Sequence, residues 1–163
     1  VNKPAIILVS TLLIAVAAVF VFVSPQPSDA PTTMVVYKSP TCGCCADWID
    51  HIEAAGIVVE VRDVQDINQV KMQQGISRNL SSCHTGLIDG YIVEGHVPAE
   101  DVLRMLEERP QIKGLSVPGM PIGSPGMEQG SPADYQAYDV IAFDGAGNMS
   151  RYRHVEGGVN SGD

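Results

Sequence analysis

The chain has 163 residues, 10 of them Lys or Arg and 19 Asp or Glu, for a formal net charge of -9. That length allows one domain with its own apolar core plus an appendage. The acidic balance, with no cluster of Lys and Arg, argues against nucleic acid as a partner, because phosphate contacts need clustered cations.

Ala5 to Val23 form a run of 19 residues broken only by Ser10 and Thr11, which reaches the lower range for a membrane-spanning helix. Lys3 lies ahead of the run, and Pro25, Pro27, Ser28 and Asp29 follow it. This is the layout of an export signal or a signal anchor over residues 1–23. The expected location is therefore periplasmic, either soluble after cleavage or anchored to the inner membrane by residues 5–23. Membrane contact is expected through this segment alone. Residues 24–33, rich in Pro, Ser and Thr, read as a linker. Residues 34–156 follow as the folded domain, and 157–163 as a flexible tail.

Met34 to Lys38 is a short β-branched run, hence a strand. After the turn Ser39-Pro40-Thr41, the set Cys45, Trp48, Ile49, Ile52 and Ala55 recurs at helical spacing until Gly56. Ile57 to Val61 reads as a second strand. Asp66, with Gln69 three residues on, resembles a capping box for a helix through Gln74 that stops at Gly75. Thr85 to Ile88 and Tyr91 to Glu94 flank Asp89-Gly90, the sequence of a tight hairpin turn. Pro98 opens a third helix, with Val102, Leu103 and Leu106 expected inward and Pro110 as its stop. Residues 111–135 carry so much Pro and Gly that no regular element is expected there. Asp139 to Phe143 and Asn148 to Arg153 then flank Asp144-Gly-Ala-Gly147 as a closing hairpin. The expected fold is α/β and thioredoxin-like, β-α-β-α-β-β-α, with a Gly/Pro/Met-rich loop region and a C-terminal β-hairpin.

Three of the four cysteines are packed into Cys42-Gly43-Cys44-Cys45, at the start of the first helix, and the fourth is Cys83, next to His84. In the expected topology the loop before the third strand lies beside that helix start. Four sulfurs and one imidazole should therefore converge, and helix amino termini lower thiol pKa. Cys42 and Cys45 have the C-x-x-C spacing of a thiol-disulfide oxidoreductase. Against that use stand the third thiol, Cys44, and the absence of any Pro from residue 76 to 97, where such enzymes carry a cis-proline. Metal binding is the favoured reading. Thiolates admit Zn(II), Cu(I) or iron-sulfur clusters, and thioethers favour Cu(I). Three thiols within four residues crowd one tetrahedral ion and suit bridging of several. Two Pro-Gly-Met units, ending at Met120 and Met127, lie where no helical or strand period gives them a packing role.

On these residues the chain resembles the copper-resistance CopG-type family of exported cysteine-rich proteins. The likeness is carried by Cys42-Gly-Cys-Cys45 with Trp48, Ser82-Cys83-His84-Thr85, Gly95-His96-Val97-Pro98, Gly114 to Pro121 and Gly123 to Glu128. It runs over roughly residues 34–154 in the same order. The resemblance implies a thioredoxin-like periplasmic domain that binds copper. Cys42, Cys44, Cys45, Cys83 and His84 match its cysteine and Cys-His motifs, and Met120 and Met127 match its Pro-Gly-Met positions.

The expected function is sequestration of copper for resistance and homeostasis, held as Cu(I) in a thiolate-bridged, multinuclear cluster, with cycling between Cu(I) and Cu(II) as a further step. Other periplasmic copper-handling proteins are the expected partners. The alternatives are a thiol-disulfide oxidoreductase using Cys42 and Cys45, and a zinc protein. No hydrolase or transferase signature is present, and the enzymatic activity to consider is copper oxidoreduction. Among the other candidates, His96 is assigned a local hydrogen-bonding role, His51 a solvated helix face and His154 the tail. Met34, Met72, Met105 and Met149 are read as packing residues, and Trp48 as a core anchor.

Overall fold

A computed structural model describes residues 33–158. The apolar run Ala5 to Val23, most of the linker and residues 159–163 lie outside the described residues. The order β-α-β-α-β-β-α expected from the sequence is present. It comprises β1 (Thr33–Lys38), α1 (Gly43–Ala54), β2 (Val58–Asp63), α2 (Ile67–Gln74), β3 (Thr85–Ile88), β4 (Tyr91–Glu94) and α3 (Ala99–Glu108). Three strands follow, β5 (Gly114–Ser116), β6 (Tyr138–Phe143) and β7 (Met149–Val155), with a 3-10 turn at Pro132–Asp134. All seven strands form one sheet in the order β2-β1-β3-β4-β5-β6-β7.

β1 and β2 run parallel, so the chain must cross over between them, and α1 is that crossover. Its apolar positions Cys45, Trp48, Ile49 and Ile52 are the buried ones, spaced to form one face of a helix. α1 and α3 bury Trp48, Ile52, Val102 and Met105 against Met34, Val36, Ile88, Val93 and Leu115 of the sheet. A smaller cluster sets Ile76 and Leu80, from the segment after α2, against Ile92 of β4 and Phe143 of β6. Ile92 and Val93 are neighbours on β4 yet belong to different clusters, as the alternation of a strand requires when both faces are covered.

Most boundaries fall within two residues of the sequence reading. Thr33, assigned to the linker, is the first residue of β1. Asp66 caps α2 by accepting from Asn68 N at 2.9 Å. Asp89 and Gly90 both have positive φ, 49° and 85°, the geometry that a two-residue hairpin of this hand needs.

Three expectations are corrected. Residues 111–135 do contain regular structure, because Gly114–Ser116 pairs with β4 on one side and β6 on the other. Leu103 faces solvent, and Met105 takes the inward place one turn of α3 beyond Val102. Met72 and Met149 are exposed, so of the four methionines read as packing residues only Met34 and Met105 pack.

The Pro-Gly-Met segment lies against α1. Gly126 has φ 79°, and a Cβ placed there would stand 2.6 Å from Trp48 N and 2.7 Å from Cys44 O. Only glycine fits both the left-handed backbone and the close approach. Gly126→Ala is expected to lift this segment from the helix and cost about 1–3 kcal/mol. Denaturant unfolding checks this, and an unchanged midpoint would show that the segment does not bear on α1.

Candidate metal centre

The site begins where β1 ends. Ser39-Pro-Thr reverses the chain, with Cys42 N donating to Ser39 O at 3.1 Å, and this leaves Cys42 as the residue capping α1. Cys45 is fully buried, Cys44 and Cys83 are half-buried, and the sulfurs of Cys42, Cys44, Cys45 and Cys83 all lie within 4.8 Å of one another. The convergence expected from the topology is therefore observed. Cys42 and Cys45 are joined by a disulfide, while Cys44 and Cys83 are free thiols. Cys44 Sγ lies 3.6 Å from Cys42 Sγ.

A second grouping shares Cys83. Cys83, His84 and His96 also offer donor atoms within 4.8 Å of one another. Cys83 Sγ is 3.3 Å from His84 Nδ1 and 3.0 Å from His96 Nε2. His96 Nδ1 is 2.7 Å from Pro125 O. A carbonyl only accepts, so Nδ1 carries the proton and Nε2 turns a lone pair toward the sulfur. The Cys83 thiol is pushed up to about 12, first by burial and then by the neighbouring Cys44, which makes it a donor to that lone pair. Cys83 lies on no helix end and is short of water, so nothing there offsets the effect of burial.

Both imidazoles are held neutral. Burial lowers the pKa of His84 well below its usual value, with the neighbouring His96 and Lys71 acting in the same direction. Burial likewise lowers that of His96. Neutral imidazole is the form that ligates metals. His84 Nε2 is the one buried side-chain nitrogen or oxygen without a hydrogen-bond partner among the described residues. Leaving such a group unpaired costs about 1–3 kcal/mol. A soft or borderline metal ion would supply the missing partner, and the sulfur and nitrogen donor set fits such an ion.

The Cys83-His84 dipeptide is held from behind by a buried ion pair. Lys71 Nζ lies 2.5 Å from Glu94 Oε1, both side chains being removed from solvent. Glu94 also accepts from Ser82 N at 2.7 Å and from Thr85 Oγ1 at 2.7 Å. Lys71 donates further to His84 O and Thr85 Oγ1. The tilted indole of Trp48 covers His84 at 4.2 Å between ring centres, and its Nε1 donates to Val97 O at 2.9 Å. Trp48 is thus a core anchor, as expected, and also one wall of the site.

The two methionines part company. Met127 is buried beside Gly126, on the segment that touches Cys44 O, whereas Met120 is half-exposed. Gly119 in the same segment is tied to Ser81 O at 3.1 Å and accepts from Ser82 Oγ. His51 is corrected from a solvated position. Its Nε2 accepts from Ala99 N at 3.0 Å and caps α3. His154 pairs with Asp139 on the surface, away from the sulfurs.

Sequence reasoning missed Lys71 and Glu94, while the local hydrogen-bonding role expected of His96 is present, shared between Cys83 and Pro125. The hairpin register carried the signal for His96. Thr85 pairs with Glu94, and extending that register by two places sets His96 opposite Cys83. Two signals were absent for the ion pair, since a lone Lys on a short helix and a Glu at a strand end read as surface residues.

Comparison with known proteins identifies the family. The family model described as "Protein of unknown function, DUF411" matches residues 80–127, a span that holds Cys83, His84, His96, Met120 and Met127. No curated protein matches the sequence. Among solved structures, "Copper resistance protein copG", form 2, is 44% identical with a TM-score of 0.72, covering 77% of this chain and 99% of that one. Form 1 is 44% identical with a TM-score of 0.73, covering 78% and 100%. The chain belongs to the CopG family of copper-resistance proteins. As a CopG-family chain it presents its cysteines from two distant segments, and the Lys71–Glu94 pair fixes one of them.

Lys71→Met leaves the Glu94 carboxylate buried without its cation and is expected to cost about 3–5 kcal/mol. The double variant Lys71→Met with Glu94→Gln removes both charges and should recover most of that loss. Unfolding midpoints in urea test this, and a single-variant cost below about 1 kcal/mol would show that the pair does not hold the segment.

Proposed function

We propose that this chain is a periplasmic copper-binding protein serving copper resistance and homeostasis. The observation that carries the reading is the convergence of four cysteine sulfurs within 4.8 Å, beside neutral buried imidazole, in a chain 44% identical to proteins named for copper resistance. Cys44 and Cys83 serve as thiolate ligands, joined by Cys42 and Cys45 once their disulfide is reduced. A His84 nitrogen and the sulfur of Met127 or Met120 complete the shell. Thiolates bridge naturally, so several Cu(I) ions held in a cluster suit this density of sulfur.

Export is supported by the apolar run from Ala5 to Val23 after Lys3 and by a disulfide at Cys42–Cys45, a bond characteristic of oxidising compartments. Because Cu(I) prefers sulfur and Cu(II) accepts nitrogen, the mixed donors also support exchange between the two oxidation states. Other periplasmic copper-handling proteins are the partners this role requires.

One observation favours a second reading. The Cys42–Cys45 disulfide, across C-x-x-C spacing, is also the arrangement of a thiol-disulfide oxidoreductase.

Cys83→Ser separates the two readings. The copper reading expects at least a tenfold weaker hold on Cu(I) in competition with a chelator, and fewer ions per chain by metal analysis. The oxidoreductase reading expects disulfide transfer that depends on Cys42 and Cys45 and survives this substitution. Competition between Cu(I) and Zn(II) for the reduced protein tests the zinc alternative, and preference for zinc would overturn the copper assignment.

A further inference from the structure

We infer that the free edge of β2 is a docking surface for a second copy of this chain, the two β2 strands pairing antiparallel about a two-fold axis at Val61. No residue of the metal centre takes part, so this surface stands apart from the copper reading.

A strand at the end of a sheet offers unpaired N–H and C=O groups to any strand that lies beside it. The sheet ends in β2 on one side and in β7 on the other. β7 is blunted by a bulge, since Arg153 pairs with Val140 and Arg151 with Ile141, leaving Tyr152 over. β2 has no such break and pairs with β1 residue for residue from Val58 to Asp63. Among the described residues nothing pairs with its other edge. Val58 and Val61 are 46% and 45% exposed, and the side chains of Glu60 and Arg62 are about half-exposed.

The ladder with β1 decides which groups face the free edge. Val64 N donates to Lys38 O at 2.9 Å, so Val64 is turned toward β1. Alternate residues of a parallel strand turn to the same neighbour, and Val58, Glu60 and Arg62 are therefore turned that way too. Val59, Val61 and Asp63 aim their N–H and C=O groups outward. A second β2 running antiparallel bonds all three, Val61 with Val61 of the second copy, and Val59 with Asp63 in both directions.

The side chains single out this register. It sets Glu60 against Arg62 of the second copy and Arg62 against its Glu60, with Val58 against Val64 on the same face. Opposite charges directly across two strands stabilise the pair, and like charges destabilise it. Moving the axis to Glu60 or to Asp63 opposes two carboxylates, and moving it to Arg62 opposes two guanidinium groups. Moving it to Val59 leaves Arg62 against Gly56. The net charge of -9 works against association of any two copies, so the contact needs the matched register. The metal centre lies at the carboxyl end of β1, to which β2 runs parallel. An antiparallel pair thus carries its two centres toward opposite ends of one continuous sheet.

A single strand is shorter than the roughly 20–30 residues a side of a standard interface, so the pair is expected to form reversibly. The test uses the metal-free full chain in detergent, with sedimentation equilibrium and amide hydrogen exchange over a series of concentrations. The chain is expected to pass from monomer to dimer as concentration rises, and the amides of Val59, Val61 and Asp63 to become protected in step. Glu60→Arg and Arg62→Glu each set like charges across the axis, and each is expected to weaken the dimer about tenfold. Mixed in equal amounts, these two variants are expected to form a heterodimer, because every like pair becomes an opposite one. Only folded variants recover the pair, so the mixture controls for folding. Val61→Pro removes an outward N–H while leaving the ladder with β1 intact, and is expected to abolish the dimer. A chain that stays monomeric, or a dimer indifferent to the charge variants, would overturn the docking surface. Protection of the β2 amides at every concentration alike would overturn it too, and would assign the edge to residues of the same chain.

Discussion

The carboxylate of Glu94 is the constraint on which the site depends. It is cut off from water and accepts from Lys71 Nζ, Ser82 N and Thr85 Oγ1. A buried charge is tolerated only when such partners are all present. These partners lie on both sides of Cys83-His84, and Lys71 together with Gly95 N holds the carbonyl of His84 itself. The dipeptide is consequently restrained from both sides. The 3.0 Å approach of Cys83 Sγ to His96 Nε2 follows from that fixed position and from the hairpin that returns β4 beside β3. A loop held only by its own backbone would not deliver a thiol to this accuracy.

The protonation of Cys83, His84 and His96 runs against that of a reactive dithiol. Cys83 is pushed up by burial, and His84 and His96 are pushed down by it. Each group is therefore neutral near neutral pH, and the Cys83 thiol keeps the proton that a metal ion would displace. The resting arrangement avoids clustering several negative sulfurs in a place poor in water. Metal binding must then displace protons, which couples occupancy to the protonation state of the surroundings. The Cys42–Cys45 disulfide serves the same economy of charge by removing two further ionisable sulfurs.

Much of the architecture was legible because it rests on local periods. The helical spacing of Cys45, Trp48, Ile49 and Ile52 identified α1, and the Asp89-Gly90 turn identified the β3–β4 hairpin with its register. The meeting of Cys83 with Cys42, Cys44 and Cys45 followed from topology alone, across about forty residues. What escaped reading was set by partners distant in sequence. β5 is three residues long and starts with glycine, so no propensity marks it, and its existence depends on β4 and β6 on either side. Lys71 sits on α2 and finds Glu94 23 residues away. His51 finds the first N–H of α3 48 residues away. His96 is the exception, because the Thr85–Glu94 register extended by two places sets it opposite Cys83.

Trp48 has a consequence of a different kind. It is the chain's single tryptophan, fully buried and tilted across His84 at 4.2 Å. Indole emission from this protein is therefore not an average over several environments. It reports from one wall of the Cys83-His84 pocket, so the fold contains its own optical gauge of what occupies that pocket, without an attached dye.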